Sequence, residues 1–449
     1  MLTRITAAGL AGCLIAGAAS GAGETNAAMK PIAIDQPAAL AQVRAGLGHT
    51  LEKLLAGKPV AIAYFGSSIS NSKWGPFNAD WFRRAFPDAE IREIKAAIGA
   101  TGSALGVFRV RDHVLKHHPD LVFVEFSIND DGRPALDIGR DVEGIVRQIW
   151  AADPQIDICL VHMYRPGYAL ALDAGRCTPS QAAHEAVAEY YGIPSINAAA
   201  RIQEQVDAGS LLLSAPKDAD GNPQPTPAGI PVFSIGDGVH PGDDGARIIA
   251  DAVGESLSVI FAASSPGAHA LPPPLIPGNP MERARLAPLA APMLSSGWVL
   301  LDETTNRFGR LFSETSGSQY KMSGVWEAGA PGESIRFRFR GTGVGLYDVR
   351  APDAGQVDVV LDGKPVASPA GLYGFSRVHP DHWPCMLWIA DGLEDRDHTV
   401  TITLSPDPPD RRTVLEAASK KAGFDPKQFE GTFIRVARIL VVGDLIETP

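Results

Sequence analysis

Residues 60–70 read Val-Ala-Ile-Ala-Tyr-Phe-Gly-Ser-Ser-Ile-Ser, an apolar run that breaks off at a glycine and serines. A short run with no polar alternation, bounded by turn residues, fits a strand buried on both faces. Such strands belong to parallel sheets with helices above and below. Residues 120–126 repeat the pattern, 90–97 read as an alternating strand, 156–163 and 194–197 as further strands, and the segments around 37–55, 81–86, 105–117, 138–150, 181–191 and 243–262 read as helices. Strands alternating with helices of these lengths give an α/β fold with a parallel sheet covered on both faces. In right-handed crossovers every parallel strand points its C-terminal end the same way. The turns after Phe65, Ala97 and Phe126 therefore gather on one rim, where open α/β sheets place their ligands. Ser68, the Gly99-Ala100 turn and Asn129 come together there by topology alone.

Beyond residue 265 the pattern changes. Residues 268–292 are rich in proline and lack periodicity, which reads as a linker or surface strap. Residues 334–340 then alternate strictly, 344–349, 356–361, 398–404 and 433–442 read as further strands, and Asp362-Gly363 marks a tight hairpin. This second unit is all-β, a sandwich or jelly roll.

With 449 residues the chain has room for two or three domains, and its 45% hydrophobic and 20% charged content suffices for a packed core. The net charge of −11 argues against a nucleic-acid or anionic-membrane surface, and no stretch after the first thirty residues is apolar enough for a membrane span. The N-terminus has the form of an export signal: Arg4, a small apolar run over 7–19, and the small residues 18–22 as a cleavage region. Leu10-Ala11-Gly12-Cys13 also resembles a lipoprotein box, so a lipid anchor through Cys13 is an alternative to free export. Cys159, Cys177 and Cys385 make no disulfide framework and no zinc-type spacing. Asp218-Ala219-Asp220-Gly221-Asn222 lacks the terminal glutamate of a calcium loop and reads as a turn.

Asp237 and His240 stand three residues apart, just before the helix read at 243–262. Next to Ser68 they would make a nucleophilic site: His240 takes the serine proton and Asp237 orients and stabilises the imidazole. The backbone N–H of Ser68, an N–H from the Gly99-Ala100 turn and the Asn129 amide are the candidate oxyanion donors.

The order strand-Ser, glycine turn, strand-Asn, Asp-x-x-His resembles the SGNH (GDSL-type) hydrolases over residues 58–262. Gly66-Ser67-Ser68-Ile69-Ser70 is similar to the family's first block and residues 94–103 to its second. Ser127-Ile128-Asn129-Asp130 is similar to the third block, and Asp237-Gly238-Val239-His240 to the fifth. Ser67 departs from the usual aspartate, Lys95 from a frequent asparagine, and Ser127 from glycine. Ala100 aligns with the glycine that supplies an oxyanion N–H. The resemblance implies a flavodoxin-like three-layer α/β/α sandwich, with a signal peptide at 1–22, the hydrolase domain at 30–265, a linker at 266–292 and the β-sandwich at 293–449. It further implies a serine esterase without metal or cofactor, with Ser68 as nucleophile. Export, the appended sandwich and tryptophans such as Trp74, Trp383 and Trp388, which stack well on sugar rings, lean towards an acylated carbohydrate as substrate, O-acetyl above all. The alternatives are a lipid, aryl-ester or thioester hydrolase, an acetyltransferase, and an inactive carbohydrate-binding protein. The irregular stretch 203–234 is long enough to wall the substrate cleft.

Overall fold

The computed structural model describes residues 38–218, 224–227, 229–301, 322–368, 375–421 and 423–446. The expected signal peptide, Cys13, and all but Asp218 of the calcium-like turn lie outside these residues. The first unit runs β1 (Ala41–Gln42), α1 (Gly48–Leu55), β2 (Val60–Gly66), α2 (Trp74–Ala85), β3 (Ile91–Lys95), α3 (Ser103–His113), β4 (Leu121–Glu125) and α4 (Ala135–Ala152). It continues with β5 (Asp157–His162), α5 (Ala169–Asp173), α6 (Pro179–Tyr191), β6 (Ser195–Asn197), α7 (Ala198–Asp207) and α8 (Asp243–Ala262).

Its six-stranded sheet has the order β1-β6-β5-β4-β2-β3, parallel throughout except for the short β1. β2, β4 and β5 are buried at every position, which is why their sequences show no alternation, whereas edge strand β3 buries only Ile91 and Ile94. Side chains from α3, α4 and α6 pack one face of the sheet, and those from α1, α2, α7 and α8 the other. The three-layer arrangement is therefore as expected. α2 begins at Trp74, well before the expected start, and α7 occupies the beginning of the stretch read as irregular. Among the described residues no helix is long and apolar enough to cross a membrane.

The second unit holds β7 (Ala284–Pro288), β8 (Val299–Leu301), β9 (Val325–Ala328), β10 (Ser334–Arg350), β11 (Val357–Leu361), β12 (Lys364–Pro365), β13 (Trp383–Ala390), β14 (Arg396–Leu404), α9 (Arg412–Ser419) and β15 (Ile434–Ile446). Its antiparallel sheet has nine strands. β10 pairs with β14 along its first half and β13 along its second, while β15 changes from β9 to β7 along its length. On β10 and β15, Gly341 and Gly443 face each other in register. A Cβ on either would sit 2.1 Å from the other strand's carbonyl oxygen.

The stretch read as a linker is bonded down along its length. Glu143 of α4 accepts from the Leu275 and Ile276 N–H groups and from the Asn279 amide, and His269 stacks on Trp150 at 4.6 Å. Its last part is strand β7. Buried residues of both units share one core: Val107 and Phe108 of α3 join Met281, Leu301, Tyr347, Leu440 and Val442, and Trp388 meets Phe108 edge-on at 5.5 Å.

Candidate active site

Strand β2 delivers Gly66 to the C-terminal rim of the sheet. Gly66 is needed for space: a Cβ there would meet the Ser70 hydroxyl at 2.4 Å and the Glu125 carbonyl oxygen at 2.6 Å. The chain then leaves the sheet, and Ser68 takes a helical conformation at the head of a single 3-10 turn, Ile69–Asn71. Ser67, where the family motif has aspartate, is fully buried. Its N–H and hydroxyl both donate to Glu125 Oε2, as does the Ser70 hydroxyl. A buried carboxylate from strand β4 thus stands beside residue 67. Burial pushes Glu125 up to about 7, the hydrogen bonds from Ser67 and Ser70 opposing it only in part. Glu125 was not singled out from the sequence; its signal is an acidic residue inside the otherwise apolar run 121–126.

The segment before α8 brings the other two groups to the serine. His240 Nε2 lies 2.8 Å from Ser68 Oγ, and His240 Nδ1 lies 2.5 Å from Asp237 Oδ2. The second oxygen of Asp237 accepts from the backbone N–H groups of Val239 and His240, each at 2.9 Å. Partial burial raises the Asp237 carboxyl, but the imidazole and the two N–H groups outweigh it and hold it below the usual range. Asp237 ends no strand. It sits on a tight loop pinched by the Ile235 N–H to His240 carbonyl bond, and Gly236 and Gly238 carry the positive φ angles that loop needs.

The candidate oxyanion donors stand on the turns after β3 and β4. The Asn129 side chain is half-buried and has no hydrogen-bond partner among the described residues. Its neighbour Asp130 is fully buried and ties the two turns together, accepting from the Ser103 N–H at the head of α3, from Arg133 and from His184. Ala100, not Gly99, takes the positive φ of +55°. An L-residue there costs on the order of 1 kcal/mol, and the Thr101 hydroxyl steadies the turn by donating to the Ile98 carbonyl.

Trp74 does not reach this rim. It is fully buried at the start of α2, edge-on to Tyr64 at 5.1 Å, so the expected sugar platform is a core residue. Trp388 likewise packs at the seam between the units. The rim is built instead by the loop after β5: Arg165 pairs with Asp131 at 3.1 Å, and Pro166 lies against Gly238. Ile235, two residues before Asp237, is 77% exposed, and Leu170 of α5 is 84% exposed. The 203–234 stretch is anchored next to the Asp-x-x-His loop, where Ser234 accepts from the Gly238 N–H and donates to the Leu213 carbonyl. No cluster of three or more His, Cys, Asp or Glu among the described residues is placed to hold a metal ion.

The GDSL-like lipase/acylhydrolase family model matches residues 63–248. The α/β unit is a GDSL-type hydrolase domain. Both units are shared with a two-domain esterase active on acetylated mannans, solved with mannopentaose. The TM-score is 0.62 at 19% identity, over 90% of this chain and 97% of that one. A further structure of such an esterase gives 0.62 and 19%, over 89% and 95%. At this identity the likeness is one of fold. No curated protein matches the chain in sequence. Within the GDSL-type domain, residues 66–70, 127–130 and 237–240 fall inside the matched span.

Proposed function

We propose that the protein is an exported serine esterase that removes O-acetyl groups from a poly- or oligosaccharide. The observation that carries this reading is the hydrogen-bonded chain Asp237–His240–Ser68 on the rim of a GDSL-type domain. In this scheme His240 Nε2 takes the Ser68 proton as Oγ attacks the ester carbonyl, and the imidazolium then protonates the departing sugar hydroxyl. Water, deprotonated by the same nitrogen, releases acetate from the acyl-enzyme. Asp237 fixes the tautomer that leaves Nε2 free to accept. The N–H groups of Ser68 and Ala100 donate to no protein group among the described residues, and with the Asn129 amide they form the oxyanion site. Each such donor is worth roughly a hundred- to a thousandfold in rate.

Two observations support a carbohydrate ester. The fold match spans both units of an esterase active on acetylated mannans, and the N-terminal residues 1–22 have the form of an export signal. The exposed Leu170 and Ile235 favour a second reading, a longer acyl chain lying along an apolar rim. Acetate release from a panel of acetylated polysaccharides, alongside short and long aryl esters, decides between them. The parent protein releases acetate and Ser68→Ala does not. Turnover confined to the long ester would replace the carbohydrate reading, and a folded protein inert on every ester would end the esterase reading.

A further inference from the structure

Arg109 lies in the middle of α3 and is fully buried. A guanidinium in a core ordinarily faces a carboxylate. Among the described residues Arg109 makes no ion pair. Nη1 donates to the Ala96 carbonyl at 2.5 Å and Nη2 to the Gly66 carbonyl at 2.9 Å, while Nε has no partner among the described residues. The cation lies over the rings of Phe65 at 4.5 Å and Phe126 at 5.6 Å. Desolvation pushes it down to about 9, with Tyr347 of β10 opposing that shift from the other unit.

The two carbonyls it holds occupy corresponding places. Gly66 ends β2 and precedes Ser67-Ser68, and Ala96 follows β3 and precedes the turn that carries Ala100. The parallel ladder between these strands runs out at Tyr64 and Lys95. Past that point the Ala96 N–H to Tyr64 carbonyl and Ile98 N–H to Gly66 carbonyl bonds continue the contact. The Ala96 carbonyl is left to Arg109. A planar fork with two donors spans both carbonyls at a fixed separation, which a lysine, a single flexible point charge, does not.

We propose that Arg109 is a positioning residue that sets the spacing between the Ser68 turn and the Ala100 turn, aligning nucleophile and oxyanion donor without touching substrate. Its effect on turnover rests on the assignment of Ser68 as nucleophile; its effect on the two turns does not. A misplacement of about 1 Å in such a site costs on the order of a hundredfold.

The test compares full-length parent, Arg109→Lys and Arg109→Met. Melting is followed first, then kcat and KM on a short aryl acetate per phosphonate-titrated active site, and amide hydrogen exchange by segment. Arg109→Lys should fold, lose about ten- to a hundredfold in kcat with KM within about threefold, and exchange about tenfold faster at 66–70 and 96–103 while β4 and β5 are unchanged. If Arg109→Met does not fold, Arg109→Lys alone decides. A folded Arg109→Lys with the parent's kcat, or with exchange raised evenly through the core, overturns the proposal. An inactive parent refutes the esterase reading instead, and the exchange pattern still decides whether Arg109 ties the turns.

Discussion

At the scale of the residue, Glu125 shows how the rim tolerates the departure at Ser67. Three donors from the loop around Ser68 converge on one oxygen of a buried acid. Replacement by alanine strands them and should cost about 3 kcal/mol in urea unfolding, whereas Glu125→Gln keeps an acceptor in place and should cost less than half of that. The pH dependence has a definite sign. The folded-state value of about 7 lies above the unfolded one of about 4.3, so the folded protein holds a proton that the unfolded chain releases. That contribution is complete below the unfolded value and is lost as the pH rises through about 7. The stability of the parent relative to Glu125→Gln should therefore fall between pH 5 and pH 8; a difference that does not change would show that Glu125 holds no such proton. That Ser68, Asn129, Asp237 and His240 gather on one rim could be expected from the sequence because they stand on the loops that follow β2 and β4 and precede α8. Glu125 and Arg109 were not legible in it. A charged residue within an apolar run gives no sign of what it bonds, and their partners are a loop and two carbonyls distant in sequence. Trp74 was misplaced because α2 starts earlier than its apolar spacing indicated, which turns the indole inward.

At the scale of the element, unbroken apolar runs identified β2, β4 and β5, and apolar spacing most helices, while short strands such as β8 and β9 offered too few residues for a pattern. β10 was read as two strands because Gly341 and Gly343 interrupt its alternation. It is one strand, bent at a register shift between those glycines. The opposed Gly443 is the reason the bend can close. Gly443→Ala drives a methyl to 2.1 Å from the Arg340 carbonyl oxygen at φ +142° and should destabilise by about 3 kcal/mol or more. Gly363→Ala, also at positive φ but in open space, isolates the conformational cost and should lose about 1 kcal/mol. Equal shifts in melting temperature for the two variants would mean that the close approach contributes nothing.

At the scale of the molecule, the two units share a core. The sequence did hold the clue: α3 is apolar on more than one side, as a helix covered on both sides must be. What it did not show was the cover, because β7, Met281 and the far ends of β10 and β15 come from well beyond the α/β unit. With Phe108, Tyr347 and Trp388 interlocked across the seam, calorimetry of the full chain should show one transition whose calorimetric and van't Hoff enthalpies agree. Two resolved peaks would refute the shared core.

Strand β7 also imposes a timetable. Its partner residues on β15 are Arg438 to Val442, about 150 residues later in the chain. A polypeptide emerges N-terminus first, from a ribosome or from a translocation pore. At ribosomal rates the wait between β7 and β15 is roughly 10–30 s. Throughout it, every group proposed for catalysis is already made, yet the apolar side of α3 lacks its lid. A segment made about 150 residues later is the one that lets the α/β unit finish folding.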